Sequence, residues 1–161
     1  MNPGIYNNIS FKDYLAIEAV SNSYLGRLAE CPAKTLVPQE DTAPMILGRA
    51  VHTLVLEGLD TFSTRYFKLP DVDKRTKEGK TELLYAMAEN EGKEGLTPDN
   101  YQMVMAIREA VLSHPTASVL LAEGVREQTI CWTDSKTSLS CKGRPDIVPN
   151  KETYTLIDLK T

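Results

Sequence analysis

Residues 157–160, Ile157-Asp158-Leu159-Lys160, alternate apolar and charged side chains, and this constrains the fold more than any other stretch. In an extended strand successive side chains point to opposite faces, so Asp158 and Lys160 share one side while Ile157 and Leu159 share the other. A second β-like run at 139–144 is closed by Pro145 and Asp146. Between the two runs lies Pro149-Asn150-Lys151-Glu152-Thr153, rich in turn formers, which predicts a hairpin with Asp146 beside Asp158. Two carboxylates placed this way repel each other unless a cation lies between them, and such oxygen donors suit Mg²⁺ or Mn²⁺. Lys160 then has a specific task, holding a water or a phosphate oxygen beside the cation.

With 161 residues and 42% hydrophobic content, the chain is long enough for one globular domain with a core. Nothing approaches the ~20 apolar residues of a membrane span, and Met1-Asn2-Pro3-Gly4 lacks the basic-then-apolar pattern of a signal peptide. A cytoplasmic protein is expected. Cys31, Cys131 and Cys141 form no CxxC pair, which fits a reducing compartment without structural disulfides. A net charge of −4 argues against a basic DNA-coating protein, whose affinity comes from Lys and Arg displacing counterions. It does not argue against an acidic centre neutralised by metal.

Residues 1–20 read as a packed arm with Phe11 and Tyr14. Ser21 predicts an N-cap for a helix to about Glu30, stopped by Pro32. A loop with Pro38 and Pro44 follows, then a helix over 45–57, where Leu47, Val51, Leu54 and Val55 recur at helical spacing. A short strand is expected at 66–69. The mixed-charge run 73–80 leads into a helix to about Asn90, and 93–95 reads as a loop. Thr97 and Pro98 open a helix to about Ser113, and a shorter one is expected over 116–123. The stretches 127–132 and 139–146 alternate like strands paired across a turn at 133–136. The expected class is therefore α/β of the α+β type, with helices first and then a meander of at least three strands.

Several blocks, in this order, resemble the exonuclease VIII (RecE-like) group of phage exonucleases, within the PD-(D/E)XK superfamily. They are Ser21-Asn22-Ser23-Tyr24-Leu25 with Cys31-Pro32-Ala33, Leu47-Gly48-Arg49-Ala50-Val51-His52, and Lys74-Arg75-Thr76-Lys77-Glu78-Gly79-Lys80. The series continues with Glu127 ahead of Cys131-Trp132-Thr133-Asp134, then Cys141-Lys142-Gly143-Arg144-Pro145-Asp146 and Ile157-Asp158-Leu159-Lys160-Thr161. The resemblance implies a restriction-endonuclease-like core and a Mg²⁺-dependent exonuclease acting on duplex DNA ends in phage or prophage recombination. It implies resection from 5′ to 3′, a RecT-like annealing protein as partner, and a homo-oligomer.

The catalytic roles that the resemblance implies fall on His52, Glu127, Asp146, Asp158 and Lys160. The first four would hold the metal, and Lys160 would orient or help deprotonate the attacking water, its pKa lowered by neighbouring positive charge. On its own, Glu127 reads as a surface acid on an edge strand, and His52 as a residue beside an apolar helical stripe. Lys74, Arg75, Lys77 and Arg144 are the expected phosphate contacts, Arg144 through its bidentate fork. Trp132 and Tyr154 read as core aromatics. Chains of the resembled group continue past the lysine, whereas this one ends at Thr161. The expectation is thus a single nuclease domain over 1–161 lacking its C-terminal elements, with an apolar edge at 154–159 open to another chain. A non-catalytic module binding DNA or a recombinase is the alternative, and an endonuclease on the same fold is a third reading.

Overall fold

The computed structural model describes residues 1–38, 40–122, 124–149 and 156–160. The expected turn residues 150–153, together with Tyr154 and Thr161, lie outside the described residues. The elements run β1 (Gly4–Tyr6), α1 (Phe11–Ala16), α2 (Asn22–Glu30), a 3-10 turn (Pro32–Leu36), α3 (Ala43–His52), a π-helical turn (Thr53–Glu57) and α4 (Leu59–Arg65). They continue with β2 (Tyr66–Lys68), α5 (Lys77–Glu89), β3 (Glu94–Leu96), α6 (Pro98–Ser113), α7 (Pro115–Ala122), β4 (Val125–Arg126), β5 (Thr129–Thr133), β6 (Ser140–Gly143) and β7 (Ile147–Val148). The fold is mixed α/β. It divides into two compact units, Met1–Glu40 with Ala122–Lys160, and Asp41–Leu121. No helix among the described residues is long and apolar enough to cross a membrane.

In the Asp41–Leu121 unit, α3 starts two residues before the predicted helix. Pro44 lies in its first turn, where a missing N–H costs nothing, rather than in the preceding loop. The helix winds into the π-helical turn directly after His52, and the Gly58 N–H donates to the Thr53 carbonyl at 3.1 Å. Gly58, at φ 92°, ends that turn in a conformation that side-chain-bearing residues rarely adopt. The wider turn brings four consecutive residues, Thr53 to Leu56, into the interior. They join Ala50, Val51, Phe62, Leu96 and Val104, with Phe62 stacked on Tyr66 at 5.1 Å. Each large apolar side chain buried there contributes roughly 1.5–3 kcal/mol. Glu94 and Gly95, within the stretch 93–95 expected as a loop, instead belong to β3, parallel to β2 across the α5 crossover. Gly95 obscured the strand in the sequence, and a parallel partner separated by a helix leaves no local signal.

In the other unit β5 is the central strand, with antiparallel partners β1 and β6. The N-terminal arm is therefore a sheet strand followed by a short helix, more ordered than the sequence implied. Asp134 sets the β5–β6 turn, its carboxylate accepting from the N–H groups of Lys136 (3.2 Å) and Thr137 (2.8 Å) and from the Thr137 hydroxyl (2.7 Å). These bonds, the hydroxyl first, hold the Asp134 carboxyl below the usual carboxylate range. Trp132, expected in the core, is 45% exposed, because Thr129 and Cys131 take the inner face of β5 and Trp132 falls on the other.

The two short strands β4 and β7 pair antiparallel, with Val125 opposite Val148 and Arg126 opposite Ile147. Gly124 permits the approach: it sits at φ 111°, and a Cβ there would lie 2.6 Å from the Val148 carbonyl oxygen and 2.7 Å from Ile147 Cγ2. Gly124→Ala should therefore destabilise the chain by about 2 kcal/mol or more, lowering the melting temperature by roughly 4–8 °C. An unchanged melting curve would show that the ladder yields without cost.

Candidate metal centre

The β4–β7 ladder ends where the chemistry begins. Directly after β4, Glu127 turns at φ 56°, and its backbone N–H donates to the Asp146 carbonyl at 2.9 Å. Glu127 is thus not the edge-strand residue expected from its polar neighbours. It occupies a left-handed position between β4 and β5, a conformation uncommon outside glycine and concentrated at functional sites. Its carboxylate and that of Asp146 come within 4.8 Å of each other. Asp146 is buried, at 7% exposure, and Glu127 is half-buried.

Each carboxylate is held by a neighbour. Leu159 donates its backbone N–H to Asp146 Oδ2 at 2.5 Å, a charge-assisted bond. Arg144 donates from Nε to Glu127 Oε2 at 2.5 Å and from Nη1 to the Ile9 carbonyl at 2.8 Å. Its guanidinium lies 5.8 Å from the centre of the Tyr14 ring. Two residues earlier on β6, Lys142 points inward as well. Its Nζ donates to the carbonyls of Tyr14 (2.9 Å), Leu15 (3.1 Å) and Ile17 (2.8 Å), the C-terminal end of α1. Burial pushes the Lys142 ammonium down from the usual lysine value, and three carbonyl acceptors at a helix C-terminus are what favour the cation. The sequence reading missed this residue. Its only signal was the i, i+2 spacing of Lys142 and Arg144, which in a strand puts both on one face.

The C-terminal run lies alongside. Ile147 and Ile157 exchange backbone hydrogen bonds of 3.1 Å in both directions, an antiparallel bridge as the predicted hairpin requires. The alternation of 157–160 holds too, with Ile157 and Leu159 half-buried and Asp158 and Lys160 exposed. The Asp158 carboxylate pairs with Lys160 Nζ. That hydrogen bond holds the Lys160 ammonium above the usual lysine value, opposite to the lowering expected from positive charge. The charges near it are carboxylates, Asp158 first and Asp146 second.

The remaining candidates belong to the Asp41–Leu121 unit. His52 is the last residue of α3, half-buried, with the π-helical turn directly after it. Lys74 and Arg75 precede α5 and Lys77 opens it, all three exposed. Arg144, expected on phosphate, has a side chain only 12% exposed and is bound to Glu127.

Two convergent carboxylates, one of them buried and both fixed by N–H donors, make a hard, anionic oxygen site. That donor set suits a hard divalent cation. The pairing of such a site with a mixed α/β fold bears on the family of the chain. No curated protein matches the sequence. A family model described as a PDDEXK-like domain of unknown function (DUF3799) matches residues 21–161. PDDEXK nucleases use divalent metal ions, and their fold is of the mixed α/β kind seen here, so the superfamily points to nuclease-type hydrolysis. The chain belongs to the DUF3799 family of PDDEXK-like domains.

Proposed function

We propose that this protein is a Mg²⁺-dependent exodeoxyribonuclease that hydrolyses phosphodiesters from the ends of linear double-stranded DNA. The observation that carries the reading is the convergence of the Glu127 and Asp146 carboxylates within 4.8 Å on a PDDEXK-like domain. Resection from 5′ to 3′ for phage-type recombination, with a RecT-like annealing protein and a homo-oligomeric assembly, extends the proposal by family resemblance.

Asp146 and Glu127 would hold the ion, with Asp158 as a further ligand. When bound, the ion polarises the scissile phosphate and stabilises charge on the leaving oxygen. Leu159 keeps the Asp146 carboxylate oriented through its N–H. Lys160 is fully in solvent, and an exposed pair such as Asp158–Lys160 costs little to separate. Its ammonium is therefore available to hold the attacking water or a phosphate oxygen. Lys74, Arg75 and Lys77 offer exposed cations to the DNA backbone, which would make affinity fall with salt.

Linear duplex DNA labelled at one 5′ end should be degraded with Mg²⁺ by the native chain, while closed circular DNA survives. Asp158→Ala should leave both substrates intact. Cleavage of the circle would replace the exonuclease with an endonuclease. Failure of the folded native chain to degrade either substrate would overturn the enzymatic reading in favour of a binding module.

A further inference from the structure

We propose that Arg144 is a positioning residue: it fixes the Glu127 carboxylate for a divalent cation, and the N-terminal arm in turn fixes Arg144. This rests on the assignment of Glu127 and Asp146 as metal ligands.

A glutamate side chain gives up much of its rotamer freedom when held in one geometry. Glu127 also starts from a backbone at φ 56°, so its carboxylate direction depends strongly on what grips it. The grip is the short Nε–Oε2 bond from Arg144, at 2.5 Å. A guanidinium is planar, so its orientation is set once two of its edges are engaged. Here the second edge binds the Ile9 carbonyl at 2.8 Å, and the Tyr14 ring lies 5.8 Å away. Both come from the first 20 residues, outside the family match at 21–161. The arm is locked onto the same sheet by β1–β5 pairing, by Gln128 Nε2 donating to Asn7 Oδ1 at 2.8 Å, and by the Lys142 bonds to the end of α1. A side chain so engaged and 12% exposed is poorly placed to serve DNA phosphate as well.

Arg144 has a second, opposing effect, since a cation on Glu127 competes with a metal ion. Arg144→Lys separates the two, because the charge is kept while the planar fork is lost. Mn²⁺ binding to the full chain, read without DNA from the electron paramagnetic resonance of the free ion, should weaken about 10–100-fold in Arg144→Lys, the usual cost of losing a partner that orients a ligand. Hydrolysis should recover at high metal concentration, with KM for DNA little changed. Unchanged Mn²⁺ affinity with a raised KM for DNA would overturn the proposal and return Arg144 to phosphate contact. If Arg144→Lys does not fold, Arg144→Gln decides: affinity falls if position governs, and rises if the guanidinium only competes. Asp146→Asn serves as the reference. If it too binds Mn²⁺ like the native chain, the metal assignment itself fails; if it alone loses binding, only the positioning role does.

Discussion

Asp146→Asn should lower Mg²⁺-dependent hydrolysis of linear duplex DNA by at least about 10³-fold, because losing a direct ligand exceeds the 10–100-fold cost typical of an outer partner. Asparagine is the informative substitution. Asp146 is buried and accepts the Leu159 N–H, so alanine would leave that donor unsatisfied and confuse lost chemistry with lost structure. The asparagine side-chain oxygen still accepts it. Without metal, removing one of two convergent carboxylates relieves repulsion, so the metal-free melting temperature should stay the same or rise. Activity within tenfold of the native chain, in a variant of native stability, would exclude Asp146 from the centre.

Lys160→Ala should reduce turnover by about 10²–10⁴-fold while leaving Mg²⁺ affinity by calorimetry unchanged or slightly raised. Lys160 has no structural duty comparable to that of Lys142. It lies in solvent, where a lysine side chain is a cation at neutral pH. It therefore enters the reaction as a cation and donor, and deleting it removes a charge near the phosphate without removing a ligand. A loss of metal affinity matching that of Asp146→Asn would contradict this role. Normal turnover would reduce Lys160 to a partner of Asp158.

Local signals carried much of the fold. Ser21 and Thr97 cap α2 and α6 as expected, their hydroxyls accepting from the N–H groups of Tyr24 and Asn100. Leu47 and Val51 marked α3 and Leu54 the π-helical turn after it, and the alternation of 157–160 placed Asp158 and Lys160 on the outer side. Each of these depends on residues a few positions apart. What stayed hidden depends on distant partners. β1 exists because β5, more than 120 positions later, completes its hydrogen bonds, and β3 depends on β2 across a helix. The candidate site divided in the same way. Asp146 stood out because Pro145 and the alternating runs framed it, whereas Glu127 was misread as a strand residue. A left-handed turn at a glutamate has no composition signature, and its cause is a backbone bond to Asp146 and a side-chain bond to Arg144. The phosphate expectation for Arg144 has a related origin. An arginine near an acidic centre suits phosphate as well as carboxylate, and the Ile9 carbonyl and Tyr14 ring beside it come from residues far away in the sequence.

Trp132 is the chain's single tryptophan, half-exposed on the central strand of the sheet, with Thr129 and Cys131 behind it and Cys141 opposite. Its strand carries on directly from Glu127 and Gln128. Intrinsic fluorescence excited at the indole band therefore comes from the unit containing the carboxylates and from nowhere else in the molecule. That gives a label-free optical signal for this half alone, whereas circular dichroism sums the helices of both halves, α1 and α2 included.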